Sequence, residues 1–138
     1  MPSNCVFCAI AQGDAPAERV VDDKRTVAFM DINPATRGHV LVIPKTHCRD
    51  IADADPADVA AVAQTAQRLA QAAFSELAAD GVNLIQASGT AAFQTVFHMH
   101  FHVIPRYRSD GLLRPWNPIP GDGDEIRHAA AALRHAIV

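Results

Sequence analysis

No strong charge of either sign dominates this chain. Its 12 lysines and arginines are slightly outnumbered by 15 aspartates and glutamates, leaving a net charge of −3. There is no overall basic field of the kind that grips a nucleic-acid backbone, so partnership with a nucleic-acid polymer is not expected and any phosphate chemistry must be local. Long apolar runs are also missing. Nothing approaches the roughly 20 residues that a bilayer-spanning helix needs, so no membrane partner is expected. The opening Met1-Pro2-Ser3-Asn4-Cys5 has neither the basic nor the apolar stretch of a secretory leader, which points to the cytoplasm. Cysteine is scarce: three residues cannot all pair, and two of them stand as Cys5-x-x-Cys8. In a reducing compartment that spacing favours metal or redox chemistry over a structural disulfide. Cys48 reads as a small packed thiol.

What is present is enough for a core. With 138 residues, 49% of them apolar and 20% charged, the chain is long enough to bury one without disulfides. There is no internal repeat or linker, so the sequence reads as one domain over residues 1–138, with 110–138 as a C-terminal extension. Residues 5–12 form a short helix or turn closed by Gly13, which suits the left-handed position after a helix end. Arg19–Val21 and Thr26–Asp31 read as two strands around the polar turn Asp22-Asp23-Lys24, and His39–Ile43 as a third strand halted by Pro44. The main helix starts at Asp55-Pro56, an N-cap acid followed by a proline suited to the first turn, and ends before Gly81. Val59, Val62, Ala66, Leu69, Ala73 and Leu77 form a narrow apolar stripe along it, as on a helix lying on a sheet. Val82–Gln86 and Val96–Ile104 give two more strands. Residues 124–136 close the chain as a helix after a stretch rich in Arg, Gly and Pro that includes Arg114-Pro115-Trp116-Asn117-Pro118. The expected class is α+β: an antiparallel sheet of about five strands with one long helix, a short N-terminal helix and a C-terminal helix.

The chemistry gathers in Phe97-His98-Met99-His100-Phe101-His102-Val103-Ile104. Apolar and imidazole side chains alternate with period two, which puts all three histidines on one face of a half-buried strand. Along a strand, alternate side chains lie roughly 6 to 7 Å apart, close enough to serve one ligand but too far for a direct nucleophile–base pair. A polar strand face or a three-histidine metal site would give the same pattern. A neutral imidazole is a competent nucleophile toward phosphorus near pH 7, forming a covalent phosphorus–nitrogen intermediate. Gln94, Thr95 and His102 stand nearby in sequence as donors for the charged oxygens.

The pattern resembles the histidine-triad (HIT) family, whose His-φ-His-φ-His-φ-φ signature corresponds here to His98-Met99-His100-Phe101-His102-Val103-Ile104. The resemblance extends through Cys5-Val6-Phe7-Cys8, Asp31-Ile32-Asn33-Pro34, Gly38-His39-Val40-Leu41-Val42-Ile43-Pro44-Lys45-x-His47 and Phe93-Gln94-Thr95-Val96. It implies a homodimeric enzyme that binds a purine nucleotide and acts at its α-phosphorus, on nucleoside phosphoramidates or dinucleoside polyphosphates, through a nucleotidyl-histidine intermediate. By position, His100 corresponds to the nucleophile, and His102 and His39 to the imidazoles that orient it and contact phosphate. Asp31 corresponds to the ribose carboxylate, Gln94 and Thr95 to phosphate contacts, and Phe7, Ile10, Phe29, Ile32 and Leu41 to a base cleft. For those five apolar residues ordinary core is an equally good reading. Bacterial members that carry zinc further imply Cys5, Cys8, His47 and His98 as ligands of a closed, structural tetrahedral site; a redox pair is the alternative for the two cysteines.

Two positions depart from the family. Where an Asn or Gln commonly stands eleven residues before the first triad histidine, this chain has Ala87, and Phe93 replaces a common glycine. The first rival function is a nucleotide sensor with negligible turnover. The second is a metalloenzyme whose ligands are His98, His100 and His102.

Overall fold

A computed structural model describes residues 4–114 and 116–137. The expectations that touch Met1–Ser3 and Pro115 lie outside the described residues. In chain order the elements are α1 (Val6–Gln12), β1 (Arg19–Asp22), β2 (Thr26–Met30), β3 (Val40–Pro44), α2 (Pro56–Glu76), β4 (Gly81–Gln86), a 3-10 turn (Thr90–Ala92), β5 (Phe101–Arg106) and α3 (Gly123–Ile137). The five strands form one antiparallel sheet in the order β1-β2-β3-β5-β4. The α+β class and the numbers of strands and helices are as the sequence predicts.

The central strands β2 and β3 are buried on both faces, and alternate residues feed two separate cores. Ala28, Val40, Val42 and Val103 pack with Val62 and Ala66 of α2 on one face. Val27, Phe29, Leu41 and Ile43 pack with Phe7 and Ile10 of α1 on the other. Deleting a large apolar side chain from either layer should cost about 2 to 5 kcal/mol. The apolar stripe of α2 faces the first core, with Val62, Ala66 and Ala73 buried. Its N-terminus is capped by the Asp55 carboxylate, which accepts from the Ala57 N–H at 2.8 Å. The Asp58 carboxylate accepts from Arg25 Nε at 3.0 Å and Nη2 at 2.8 Å, tying this end of the helix to the β1–β2 hairpin.

Gly38 is required where it stands. Its φ is +92°, and a Cβ there would lie 2.3 Å from Leu77 Cδ1 and 3.1 Å from Pro105 Cγ. Only glycine lets the loop before β3 pass under the end of α2, and this passage sets His39 at the mouth of the sheet.

The triad segment differs from the expected continuous strand. Residues 96–100 are irregular and β5 begins at Phe101. β4 ends at Gln86, opposite Phe101, and pairing to β3 also stops at Val42↔Phe101 although β3 itself runs on to Pro44; beyond that point the Met99 N–H donates to the Cys48 carbonyl at 2.8 Å. The alternation of side chains nevertheless continues across the bend, with Met99 fully buried in the α2-side core and His98 and His100 turned the other way.

Candidate functional site

His100 and His102 line a cavity of about 470 Å³ on the α1 face of the sheet. The same cavity is walled by Phe7, Ile10, Phe29, Asp31, Ile32, Leu41 and Thr95, so eight of the residues expected from sequence to handle nucleotide, nucleophile or phosphate face one space together with His102. Phe7, Ile10, Phe29 and Leu41 also belong to the α1-side core. Core and cleft are therefore not alternatives for them: the outer surface of a buried layer is the cavity wall. Ile32, at 90% exposure, stands on the rim. Val6, Pro16, Ala17, Met30, Asn33 and Val96 complete the wall. Sequence reasoning did not single them out; the Asn33-Pro34 breaker beside Asp31 was the one available signal.

Backbone groups fix the protonation pattern of the histidines. The Nδ1–H of His100 donates to the His98 carbonyl at 2.7 Å, which leaves Nε2 with its lone pair. The Ala35 N–H donates to His39 Nδ1 at 2.9 Å, so in neutral His39 the proton sits on Nε2. His39 Nε2 lies 2.9 Å from His102 Nδ1 and donates to it, with Asp31 Oδ2 at 3.4 Å from the same nitrogen. His102 Nδ1 is thereby an acceptor, and His102 Nε2 carries the remaining proton. The outcome is one imidazole with a free lone pair beside another with a free N–H, their ring centroids 5.0 Å apart.

Burial holds these rings neutral. It lowers the pKa of His100 below the ordinary 6.5, against a hydrogen bond to the His98 carbonyl and the Asp31 charge, which raise it. His102 is pushed down to about 4, chiefly by burial and further by His100 and His39. His39 is lowered for the same first reason, with Asp31 opposing. A buried, neutral imidazole is the form that can attack phosphorus.

His98 departs from the other two. Its Nε2–H donates to the Pro44 carbonyl at 2.8 Å, which turns the Nδ1 lone pair toward Cys5 Sγ at 3.4 Å and Cys8 Sγ at 3.5 Å. His47 Nδ1 lies 3.3 Å from Cys8 Sγ and 3.3 Å from His98 Nδ1. Ordinary zinc–ligand bond lengths in a tetrahedron require roughly 3.3 Å between nitrogens and 3.6 Å between sulfur and nitrogen. The four side chains Cys5, Cys8, His47 and His98 therefore fit a single zinc ion, and the Pro44 carbonyl is the outer partner that orients His98. Without a cation, burial and the adjacent Cys5 push the Cys8 thiol up to about 11. With four protein donors converging, a zinc held there would have no tetrahedral position left open.

Among the described residues no cluster joins His98, His100 and His102 as metal ligands. The three-histidine metal reading fails because the first imidazole is aimed at the cysteines. Asp31, His39 and His102 do converge, but the Ala35 N–H keeps the proton of His39 on Nε2, the atom that a metal would need bare. Gln94 also differs from its expected place. It is buried; its amide donates to the Arg49 carbonyl at 2.8 Å and the Val96 carbonyl at 3.1 Å, and its oxygen accepts from the Gly89 N–H at 2.8 Å. A buried amide must satisfy both ends locally, and here it braces the loop that presents Thr95. Cys48 is packed in the α2-side core, as its sequence context suggests, and its backbone carbonyl accepts from the Met99 N–H at 2.8 Å.

Comparison with known proteins gives a match of residues 12–109 to the HIT domain. A zinc-bound histidine triad family protein from Mycobacterium smegmatis is 48% identical, with 96% of this chain and 97% of that one covered, and superposes with a TM-score of 0.77. A Streptococcus mutans structure at 34% identity covers 100% of this chain and 88% of its own, with a TM-score of 0.93. A relative from Arabidopsis thaliana named adenylylsulfatase HINT3 is 35% identical over 112 residues, 81% of this chain and 57% of that longer protein.

Proposed function

This chain belongs to the HIT domain family, and from that premise we propose that it is a nucleotide hydrolase or transferase acting at the α-phosphorus of nucleoside phosphoramidates or dinucleoside polyphosphates, with His100 as nucleophile. The observation that carries the reading is the His100 Nδ1–H bonded to the His98 carbonyl, which leaves Nε2 bare on the wall of a cavity that also holds a carboxylate.

In this mechanism a purine lies among Phe7, Ile10, Phe29, Ile32 and Leu41. The ribose hydroxyls donate to Asp31, an acceptor-only group. His100 Nε2 attacks the α-phosphorus, the bond from phosphorus to the leaving group breaks, an amine taking up a proton from solvent as it departs and a nucleotide leaving as its phosphate anion, and the nucleotidyl group rests on Nε2. The ring then carries positive charge, which the His98 carbonyl stabilises through Nδ1–H. The His102 Nε2–H and Thr95 hydroxyl donate to phosphate oxygens as charge builds there, while Gln94 holds the loop behind Thr95. Water then attacks the same phosphorus, its proton leaves to solvent, and nucleoside monophosphate departs as His100 regains its lone pair. The net reaction consumes one water.

Zinc at Cys5, Cys8, His47 and His98 would act structurally, binding the α1 turn to β3 and to the triad segment. His39 acts on the reaction through His102. Adenylyl sulfate joins the candidate substrates because of the Arabidopsis relative's name. Three cysteines outside any disulfide suit a cytoplasmic setting, and among the described residues no helix is long and apolar enough to cross a membrane. A two-fold homodimer is also part of the reading, since edge strand β4 exposes Leu84 and Ile85. Light scattering at micromolar concentration should give twice 14.8 kDa.

The deciding experiment is rapid quench in alkaline denaturant, where a phosphorus–nitrogen bond survives, of enzyme mixed with an adenosine phosphoramidate, followed by intact-mass and peptide analysis at alkaline pH. One adenylyl group on the peptide containing His100 is the expected result. Nucleotide binding without an adduct and without turnover would favour the sensor.

A further inference from the structure

The cavity that holds His100 adjoins another. A second cavity, of about 490 Å³, shares Val6, Thr95 and Val96 with it and runs on to His47, Arg49 and Phe97, while His100 and His102 face the first alone. Charge divides between the two in the same way. The first holds the Asp31 carboxylate and, among the described residues, no lysine or arginine; the second holds the Arg49 guanidinium and, among the described residues, no carboxylate. Thr95 thus stands between a space suited to a ribose and a space suited to an anion.

Backbone hydrogen bonds fix Arg49 against this wall. Its N–H donates to Asp53 Oδ2 at 2.7 Å, and its carbonyl accepts from the Gln94 amide at 2.8 Å. The same amide donates to the Val96 carbonyl at 3.1 Å, so one buried side chain sets the spacing between Arg49 and the residues beside Thr95. The guanidinium is only partly committed. Its Nε lies 3.4 Å from Asp50 Oδ2, and Asp50 is itself held through Oδ1 by the N–H groups of Ala52 and Asp53, each at 3.0 Å. Asp50 therefore steadies the Nε edge, while the two terminal nitrogens have no partner among the described residues. A fork of two N–H donors matches two oxygens of a tetrahedral oxyanion. The Thr95 hydroxyl is also without a partner among the described residues.

We propose that the second cavity receives the leaving group, and that Arg49 selects there for a tetrahedral oxyanion, sulfate in particular. The inference rests on the attack by His100 proposed above and assigns the opposite side of the same phosphorus. In-line displacement sets the leaving group opposite the attacking nitrogen. With nucleoside and His100 in the first cavity and the phosphate at Thr95, the second cavity is the space for the departing group. Sulfate is favoured over a phosphate chain because, by the family resemblance, Ala87 brings no donor to the bridging oxygen, and the anion of a strong acid departs without one. With adenylyl sulfate the Nε2–phosphorus bond forms as the bond from phosphorus to the bridging oxygen breaks, and that oxygen leaves with both electrons as part of the sulfate dianion. Water then attacks the phosphorus and releases nucleoside monophosphate and one proton.

The test compares the full zinc-loaded chain with Arg49→Gln and Arg49→Lys on three substrates that share one adenosine half. These are adenylyl sulfate, diadenosine triphosphate and the unsubstituted adenosine phosphoramidate, which loses ammonia. Arg49→Gln should lower kcat/KM about tenfold for adenylyl sulfate and less than about twofold for the phosphoramidate, because only the first offers the guanidinium an anion to bind. Arg49→Lys, which keeps the charge, should recover part of the loss. Added salt should slow the wild type on adenylyl sulfate more than it slows Arg49→Gln, since the side chain is 70% exposed and its charge is screened. Equal losses on adenylyl sulfate and phosphoramidate, the result of a change passed on to His47 or Gln94, overturn the proposal. So does an unchanged rate on adenylyl sulfate or an equal salt dependence in the two proteins. A loss confined to diadenosine triphosphate gives the cavity to a phosphate chain and overturns the sulfate assignment. Those outcomes leave the hydrolase reading standing, whereas a wild type that hydrolyses none of the three removes that reading and the subsite with it.

Discussion

His39 Nε2 and His102 Nδ1 lie 2.9 Å apart, and the Ala35 N–H at His39 Nδ1 decides which of them donates. The consequence is a fixed order of protons from a loop amide to the cavity. His39→Ala should therefore lower kcat by about tenfold to a hundredfold with KM changed less than about threefold, because the lost order acts on the transition state more than on binding. His39→Gln, whose side-chain amide can still donate to His102, should recover part of that loss. Steady-state rates on an adenosine phosphoramidate decide it; equal losses in the two variants would show that His39 only fills space.

The same rings make stability depend on acid. The folded chain holds His102 neutral down to about pH 4, whereas an unfolded chain takes up that proton near 6.5. Between those values the unfolded state binds more protons, so stability rises with pH and falls on acidification through the window. Buried His100, with its lowered pKa, adds to the same trend. Denaturant melts of zinc-loaded protein from pH 7 to pH 4.5 should show the fall, and His102→Asn should make it shallower. An identical slope in wild type and variant would remove His102 as a source.

His100→Ala should abolish hydrolysis while nucleotide affinity stays within about tenfold, since the other cavity walls remain. Calorimetric titration with a nucleoside monophosphate beside a turnover assay provides both readouts. More than a few percent of wild-type turnover in His100→Ala would sink the covalent route.

Protein purified without chelator or metal-affinity resin should contain about one zinc per chain. Cys5→Ser or Cys8→Ser should lose it and melt at lower temperature, because metal binding free energy adds to folding. Elemental analysis with thermal melts checks this. Zinc well below one per chain in the unaltered protein would mean that the four side chains converge for another reason.

The side-chain pattern carried much of this arrangement into view, but the backbone did not. The alternation in residues 97–104 predicted a face of histidines because period two survives even where the ladder ends. The end of the ladder depends on β4 stopping at Gln86 and on β5 parting from β3 after Val42, which no local pattern in residues 96–100 encodes. The tautomers are set by the Ala35 N–H and by the carbonyls of Pro44 and His98, groups that every residue possesses and that only the fold brings into place. Gln94 illustrates the same limit, since its residue type suits a phosphate contact and its surroundings engage both ends of its amide.

Ala87 offers the sharpest test of specificity. By the family resemblance it stands where an Asn or Gln would serve the oxygen that bridges the α-phosphorus to a leaving group, a methyl group has no donor to offer there, and the two polar neighbours are engaged elsewhere. Gln86 Nε2 donates to the Ala87 carbonyl at 3.1 Å, and Ser88 Oγ donates to Gln86 Oε1 at 3.0 Å while accepting from the Ile51 N–H at 3.1 Å. For either to stand in, at least one of these bonds would have to break. A missing donor to a charging oxygen typically matters by about 2 to 4 kcal/mol. In a phosphoramidate the bridging atom is nitrogen, which takes up a proton and leaves as a neutral amine without a charging oxygen for that donor to serve, so phosphoramidates should be favoured over dinucleoside polyphosphates. Ala87→Asn should raise kcat/KM for the dinucleoside polyphosphates and narrow the gap. Rates for both classes on wild type and Ala87→Asn settle the matter; an unchanged ratio would mean that leaving-group choice is set elsewhere, and the exposed Phe93, held at φ +68° on the same loop, would be the next residue to replace.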